Sequence, residues 1–206
     1  MHLRAQLALA TLAFSTVAYS QIVNTATPDS FQVRYASNLN IGDSVINVTN
    51  NGASGTGGGI GTISGNICVN VYTFDPAEEL VSCCTCSVTP NGLQSISVRG
   101  SLTSNPLTPA IPTSVVIKLV ASTGGACNAS SVTALVPGMR AWGTTIHSLP
   151  TTPVSYGVTE TEFSKSDLSA AELAHLTQFC GFIQANGSGF GICSGCSTGG
   201  LGAGKQ

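Results

Sequence analysis

Short apolar runs separated by turn residues occupy the chain from Phe31 to about Ile146. Runs of this length and spacing are typical of an all-β sandwich or barrel. The apolar pattern predicts seven strands, at residues 31–36, 44–49, 67–74, 80–88, 93–102, 114–121 and 141–147. We expect the run 115–120 to be a core strand, with Lys118 extending its charged end from a sheet edge.

A different periodicity begins near the end of the chain. Ser169 and Glu172 have the spacing of a helix-capping box, and Asn186 followed by Gly187 can end a helix in a left-handed turn. Between these signals, apolar residues recur at steps of three and four, which predicts the buried face of an α-helix: Leu173, Leu176, Phe179, Cys180 and Ile183.

The first twenty residues carry the pattern of an export signal. His2 and Arg4 precede an apolar stretch at 5–18, which ends shortly before Gln21. The pattern predicts a signal peptide at 1–20 that is cleaved after Ser20. The stretch is shorter than the roughly 20 apolar residues of a membrane span, and no later stretch qualifies. We expect a secreted or extracellular protein, with the periplasm as the other oxidising location, and no transmembrane segment after signal cleavage.

Eight cysteines follow the proposed signal. An exported chain with an even number of cysteines is expected to oxidise them to disulfides. Six of them lie in two groups and two stand apart: Cys83, Cys84 and Cys86; Cys180, Cys193 and Cys196; Cys68 and Cys127. On a strand, Cys84 and Cys86 would share one face and Cys83 would take the other, so one group can tie two layers. Pairing between the groups is favoured over pairing within them, but the connectivity stays open.

Strands, helix and cysteines together predict the fold class. We expect a mainly β protein, an antiparallel β-sandwich of immunoglobulin-like or jelly-roll-like type with one C-terminal helix and a disulfide-rich tail. Residues 21–160 would form the sandwich domain, and 161–206 would be a helix and cysteine-rich segment packed on the same domain. A bridge from Cys180 would then hold the helix on the sandwich.

Two other uses of the cysteines compete with disulfides. The spacing of four of them suits a four-thiolate zinc site: Cys84, Cys86, Cys193 and Cys196. Cys193 and Cys196 also form a C-x-x-C pair, as in thiol–disulfide oxidoreductases, although a glycine-rich tail replaces the expected strand and helix. Because an oxidising location favours disulfides over thiolates, we predict no metal and no cofactor.

Charged residues are few. The chain has seven basic and nine acidic residues, and its formal net charge is −2. It lacks the clustered basic footprint of a nucleic-acid-binding protein, so we expect no nucleic-acid partner. A surface made mainly of Ser, Thr, Asn and Gly offers weak repulsion against self-association. The glycine-rich stretch at 52–65 has no phosphate-loop spacing, and we expect a flexible surface loop there.

Candidate catalytic groups are sparse. His147 and His175 are the histidines after the proposed signal, and no known catalytic signature accompanies them. We expect His175 to be a partly exposed structural residue beside the apolar helix face. Asp75, Glu78 and Glu79 lie at a turn between two strands and are expected to be turn charges. The sequence predicts no catalytic residue, and a secreted hydrolase or redox protein is the most distant function considered.

Several stretches resemble a family of exported, cysteine-rich bacterial proteins of unknown function. These stretches include NICVNVYTFDP at 66–76 and AWGTT at 141–145, together with residues 80–86, 88–92, 168–173 and 186–193. The similarity covers most of the chain after the proposed signal. The resemblance implies a bacterial origin and an extracytoplasmic location, but it implies no catalytic residue, ligand or partner.

These observations favour an extracytoplasmic structural or surface-associated protein, a subunit of an extracellular assembly that contacts its own copies or other cell-surface proteins. In the segment 21–40, Phe31, Val33 and Tyr35 alternate and can pair within their own sheet, our default, or add a strand to a neighbour. The alternative function is an extracellular binding module for glycans or another ligand. Its candidate stacking residues are Trp142, Tyr72, Tyr156 and Phe190, for which core packing is the favoured use.

Overall fold

The computed structural model describes residues 29–55, 65–132 and 134–198. The predicted signal peptide at 1–20 and most of the glycine-rich stretch at 52–65 lie outside these residues. The described strands are β1 (Phe31–Ala36), β2 (Val45–Asn50), β3 (Ile67–Phe74), β4 (Leu80–Val88), β5 (Leu93–Ser97), β6 (Val115–Thr123), β7 (Met139–Leu149), β8 (Ser155–Glu162), β9 (Ser164–Lys165) and β10 (Ser197–Thr198). A helix, α1 (Ala170–Asn186), lies between β9 and β10.

The strands form two antiparallel sheets of five strands each. Sheet I has the order β4-β3-β6-β1-β9, and sheet II has the order β10-β5-β2-β7-β8. The main core fills the space between the sheets, with apolar side chains from both of them. A second core lies between the other face of sheet I and α1. The prediction of a mainly β antiparallel sandwich with one C-terminal helix is confirmed.

The even-numbered residues of β1 are buried, although two of them are polar. Gln32, Arg34 and Ala36 are buried, and Ala36 packs in the core between the sheets. Phe31 instead faces α1, and Tyr35 is exposed. Because β1 pairs with β6 along its whole length and with β9 at Gln32, this strand pairs within its own chain. The default expectation for the N-terminal strand is confirmed for the described part of the segment.

The helix begins and ends at the predicted residues. Ser169 Oγ accepts a hydrogen bond from the Glu172 backbone N–H at 3.1 Å, and Gly187 ends the helix in the left-handed conformation. Three residues of the helix are buried: Leu176, Cys180 and Ile183. Phe179 was expected on the buried face, and that expectation is wrong. The helix contacts sheet I through Leu176, Cys180 and Ile183. The Phe179 side chain therefore lies at the rim of this interface and is 49% exposed.

Lys118 does not lie at a sheet edge, contrary to the sequence-based expectation. Its strand, β6, lies between β3 and β1 in the middle of sheet I. The side chain leaves the outer face of the sheet and meets the start of α1, where Nζ lies 2.5 Å from Glu172 Oε1. The same Nζ lies 4.7 Å from the centre of the Phe74 ring.

The predicted strand at 93–102 ends early. The chain leaves β5 at Ser97 and makes a π-helical turn over Val98–Leu102. Ser97 Oγ accepts from the Gly100 N–H at 2.6 Å, and Asp43 Oδ1 accepts from the Arg99 N–H at 2.8 Å. The Gly100 and Arg99 backbone N–H groups thus bond to side chains instead of to a neighbouring strand, and the strand ends at Ser97. The strands β8, β9 and β10 were not predicted, because their residues lack an apolar run.

The disulfide prediction is confirmed, and each cysteine of the first group pairs with one of the second. The bridges, with their Cα–Cα distances, are Cys83–Cys180 (5.9 Å), Cys84–Cys193 (5.5 Å), Cys86–Cys196 (5.8 Å) and Cys68–Cys127 (5.4 Å). Cys83 faces α1, whereas Cys84 and Cys86 face the core between the sheets. The zinc and C-x-x-C alternatives are therefore wrong. Their four sulfurs are bonded to other cysteines, and Cys193 and Cys196 each bind β4 rather than each other.

Candidate functional site

The sheet edges differ in how they are protected. At one edge of sheet I, the tail meets β4 at Cys83, whose N–H donates to the Gly191 carbonyl at 2.9 Å and whose carbonyl accepts from the Cys193 N–H at 3.4 Å. At the other edge, the two-residue strand β9 covers part of β1. One edge of sheet II is the two-residue strand β10. The last edge is β8, eight residues long, with no strand beyond it in the described part of the chain. Long uncovered edges are templates for pairing with another chain.

The hydrogen bonds between β7 and β8 show which backbone groups of β8 point towards β7 and which point away from it. The Phe163 N–H donates to the Ala141 carbonyl at 2.9 Å, just beyond the end of β8. In an antiparallel ladder, alternate residues turn both backbone groups to the same neighbour. In β8 the odd-numbered residues therefore face β7, and the even-numbered residues direct N–H and C=O outward: Tyr156, Val158, Glu160 and Glu162. We call this row of outward backbone groups the open edge.

The side chains along the open edge are apolar at one end and acidic at the other. Val158 is 65% exposed and Tyr156 is 55% exposed. Val158 lies opposite Ile146 of β7 on the outer face of sheet II. Glu160 and Glu162 follow towards the end of the strand. The open edge thus has an uncharged half and a charged half.

A buried arginine holds β8 against sheet I. Arg34 Nη1 donates to the Thr161 carbonyl at 2.9 Å and also to Thr161 Oγ1, and Nη2 donates to Thr145 Oγ1 at 2.9 Å. Desolvation by burial lowers the pKa of the Arg34 guanidinium, and the Glu160 carboxylate opposes that shift. A Cβ at position 143 would overlap the guanidinium, so Gly143 makes room for it. The sequence pattern did not predict this role of Arg34; the signal available was its place among the alternating side chains of β1.

A second surface feature lies beside the helix. Two cavities of about 350 and 290 Å³ adjoin each other and share Phe74, Glu78 and His175. We call them together the helix-side cleft. Its remaining lining comes from the β3–β4 turn, the start of β4, the loop before β6, β6 itself and α1: Asp75, Glu79, Leu80, Leu107, Thr108, Val116, Lys118, Glu172, Phe179, Phe182 and Ile183.

His175 lies in this cleft, half-exposed, as the sequence predicted. Its ring centre is 4.4 Å from that of Phe179, and its Nδ1 is 3.9 Å from Glu172 Oε2. Among the described residues that line the cleft, Thr108 carries the one hydroxyl group, and there is no cysteine. His147 lies elsewhere, on sheet II, with Nε2 3.0 Å from Thr159 Oγ1. His147 lines one cavity together with Glu162, Ser37 and Ser164, but among the described residues its ring is hydrogen-bonded to Thr159 and to neither that carboxylate nor a serine. The helix-side cleft has no serine or cysteine beside His175 among its described lining residues.

The acidic turn residues divide into two roles. Asp75 Oδ1 accepts from the N–H groups of Ala77 and Glu79, both at 2.9 Å, as expected of a turn carboxylate. Glu78 and Glu79 make no ion pair within the described ranges. Both line the helix-side cleft.

The four aromatic residues of the glycan hypothesis do not form one platform. Tyr72 is fully buried beneath α1, its hydroxyl donates to the Ala129 carbonyl at 2.6 Å, and burial raises its pKa. Trp142 is half-buried and Tyr156 exposed, at opposite ends of the β7–β8 ladder. Phe190 is exposed beside the loop at Leu107. Stacking of all four residues on a single sugar ligand is excluded by these positions.

Comparisons with known proteins add no relative. No family model, curated protein or solved structure matches the chain. The resemblance to exported, cysteine-rich bacterial proteins stays a prediction. Within residues 29–55, 65–132 and 134–198, no helix combines the length and the apolarity that crossing a bilayer requires.

Proposed function

We propose that the protein is an extracytoplasmic, disulfide-linked structural protein whose copies associate through the open edge. The observation that carries the proposal is the contrast between β8 and the other sheet edges, which are short or partly covered. Four disulfides support a location outside the reducing cytoplasm. The resemblance noted from the sequence supports the same location.

The partner we propose for the open edge is a second copy of the chain. Two β8 strands related by a two-fold axis would pair antiparallel and join two copies of sheet II into one continuous sheet. The outward N–H and C=O groups of each copy would then bond to those of the other. The low net charge of the chain, −2, offers little repulsion against this pairing.

The charges on β8 favour one register. With Val158 opposite itself, Glu160 lies opposite Tyr156 of the second copy, and Glu162 lies opposite Val154, so no carboxylates face each other. With Glu160 opposite itself, two like charges would meet directly, which is destabilising. A register centred on Tyr156 would bring the turn before β8, with its Pro153, into the pairing and shorten the ladder. The register centred on Val158 therefore fits best.

The test is the association state of the oxidised wild type and of Val158→Pro, measured by sedimentation velocity over a wide concentration range. Because the Val158 N–H points away from β7, proline there removes no hydrogen bond within the chain but blocks the pairing. We expect a reversible wild-type dimer and a Val158→Pro monomer. The matched control Val158→Thr keeps the N–H and the β-branched shape, and it should still dimerise.

Each outcome decides the proposal once circular dichroism shows that the proline variant is folded. A wild type that stays monomeric at millimolar concentration contradicts self-association. A Val158→Pro protein that dimerises as tightly as the wild type contradicts the role of β8.

A further inference from the structure

The helix-side cleft has the size and the lining of a small-molecule site. Its two adjoining cavities measure about 350 and 290 Å³. Small-molecule sites typically measure about 300 to 1,000 Å³, are mostly apolar, and carry a few polar groups that orient the ligand. The cleft meets this description with an apolar floor formed by Phe74, Leu80, Leu107 and Ile183.

Two phenylalanines stand at the rim of the cleft with much of their surface in water. Phe182 is 65% exposed and Phe179 is 49% exposed, and both project from α1. Packing on sheet I does not account for them, since the helix buries Leu176, Cys180 and Ile183 instead. Neighbouring exposed aromatic rings mark a surface that can take up an apolar group.

The polar part of the rim is acidic. Glu78 and Glu79 come from the β3–β4 turn, and neither forms an ion pair within the described part of the chain. The lysine of the cleft, Lys118, is already bound by Glu172 at 2.5 Å. The charge available to a ligand is therefore negative and favours a cation.

The protein already holds one ammonium group in such surroundings. Lys118 Nζ lies 4.7 Å from the centre of the Phe74 ring and is bound by the Glu172 carboxylate. An aromatic face and a carboxylate together stabilise an ammonium through the ring quadrupole and the opposite charge. Phe179, Phe182, Glu78 and Glu79 all line the 350 Å³ cavity of the cleft, and its described lining contains no lysine or arginine.

We infer that the helix-side cleft binds a small amphiphilic cation, an ammonium group on an apolar stem. The stem occupies the space between the α1 phenylalanines and Leu107, and the ammonium lies against Glu78 and Glu79. A bare metal ion does not fit, because one wall of the site is hydrocarbon and offers no oxygen ligands. This site is separate from the open edge, which belongs to the other sheet.

The test compares three probes with one apolar stem, 4-phenylbutylamine, 4-phenylbutanol and 4-phenylbutyrate, by isothermal titration calorimetry and by amide chemical shifts in NMR. We expect the amine to bind at least about tenfold more tightly than the alcohol, which corresponds to one charge-assisted contact. The carboxylate should bind most weakly. The shifts should map to α1 and to the β3–β4 turn.

Variants separate the two parts of the site. Glu78→Gln combined with Glu79→Gln should bring amine binding down to that of the alcohol and leave alcohol binding unchanged. Phe182→Ala should weaken all three probes. Glu160→Gln, which removes a carboxylate from β8, is the matched control and should change none of them.

The inference is overturned if the amine and the alcohol bind equally, if none of the probes binds, or if Glu160→Gln weakens the amine as much as the paired glutamate variant. Because Val158→Pro leaves the cleft intact, it should bind the amine like the wild type. Loss of dimerisation and loss of amine binding can therefore be distinguished.

Discussion

Sheet I and sheet II have the same number of strands but differ in what covers their outer faces and edges. Sheet I has α1 on its outer face, the tail against β4 at Cys83, and β9 against β1. Sheet II has no helix on its outer face in the described part of the chain, and it ends in the open edge. We therefore expect sheet I to contribute more to stability, and the association that we propose would use sheet II.

The covalent links follow the same division. Three of the four disulfides leave β4 of sheet I, and one of them reaches α1. Near the open edge, the corresponding tie is the set of hydrogen bonds from Arg34 to the residues of β7 and β8. A disulfide constrains the unfolded chain, whereas a hydrogen-bonded arginine only orients two folded strands. We therefore expect mutations on the two sheets to differ strongly in their effect on the free energy of unfolding.

The largest expected effect comes from removing the bridge between sheet I and the helix. Changing both Cys83 and Cys180 to Ala opens a loop whose ends are 97 residues apart. Because the Cys84–Cys193 bridge remains and shortens this loop to about 15 residues, the chain-entropy model predicts a loss of about 3 kcal/mol in the free energy of unfolding. Urea denaturation measures it, with peptide mapping to verify that the other three bridges remain. An unchanged urea midpoint would show that α1 is held by packing alone.

Truncating one side chain on each sheet compares their contributions to stability directly. Leu176→Ala removes a fully buried side chain between α1 and sheet I, and it should cost roughly 2 to 5 kcal/mol. Val158→Ala on the open edge should change stability by less than about 0.5 kcal/mol. Both are measured by urea unfolding of dilute protein, where association does not contribute. Equal losses would contradict the division between a stabilising sheet and an associating sheet.

The smallest expected effect on the free energy of unfolding comes from changing Tyr72, and this effect should depend on pH. Tyr72→Phe leaves the Ala129 carbonyl without its donor and should cost about 1 kcal/mol at pH 7. Burial raises the pKa of Tyr72 above its ordinary value of 10.0, so the folded state keeps a proton that the unfolded chain releases. That contribution to stability is present below pH 10 and is lost as the pH rises above it.

In Tyr72→Phe, the fall in stability above pH 10 should therefore be shallower than in the wild type. Short urea-unfolding measurements at pH 9 and pH 10.5 compare the two proteins. Tyr156→Phe on the open edge is the matched control, because its exposed hydroxyl should leave both the stability and the pH slope unchanged. Identical slopes for Tyr72→Phe and the wild type would contradict the role of the buried phenol.

The sequence predicted some strands to the residue and missed others. The bounds of β1, β3 and β4 agree with the prediction, because apolar runs ended by turn residues mark a buried strand. The strand β8 was missed, since its residues are mostly polar and include Glu160 and Glu162. Such a segment becomes a strand because it forms hydrogen bonds with β7. The residue pattern within the segment does not show which strand it will pair with.

The helix-side cleft was only partly visible in the sequence. Glu78, Glu79 and His175 were singled out, but as turn charges and a structural residue. Phe179 was assigned to the core, and Phe182 and Leu107 were not noted. The cleft forms where the β3–β4 turn, a loop and α1 meet, and these segments lie far apart in the chain.

What the sequence determined by itself is local. The alternation of side chains placed Cys83 on one face of β4 and Cys84 and Cys86 on the other, and the signals at Ser169 and Gly187 set the limits of α1. These features depend on backbone geometry within a few residues. Tertiary structure decided which cysteines pair, which strand remains at an open edge, and which side chains enclose the cleft. Those outcomes depend on which distant segments become neighbours, because hydrogen bonds, bridges and burial act between positions that no local pattern connects.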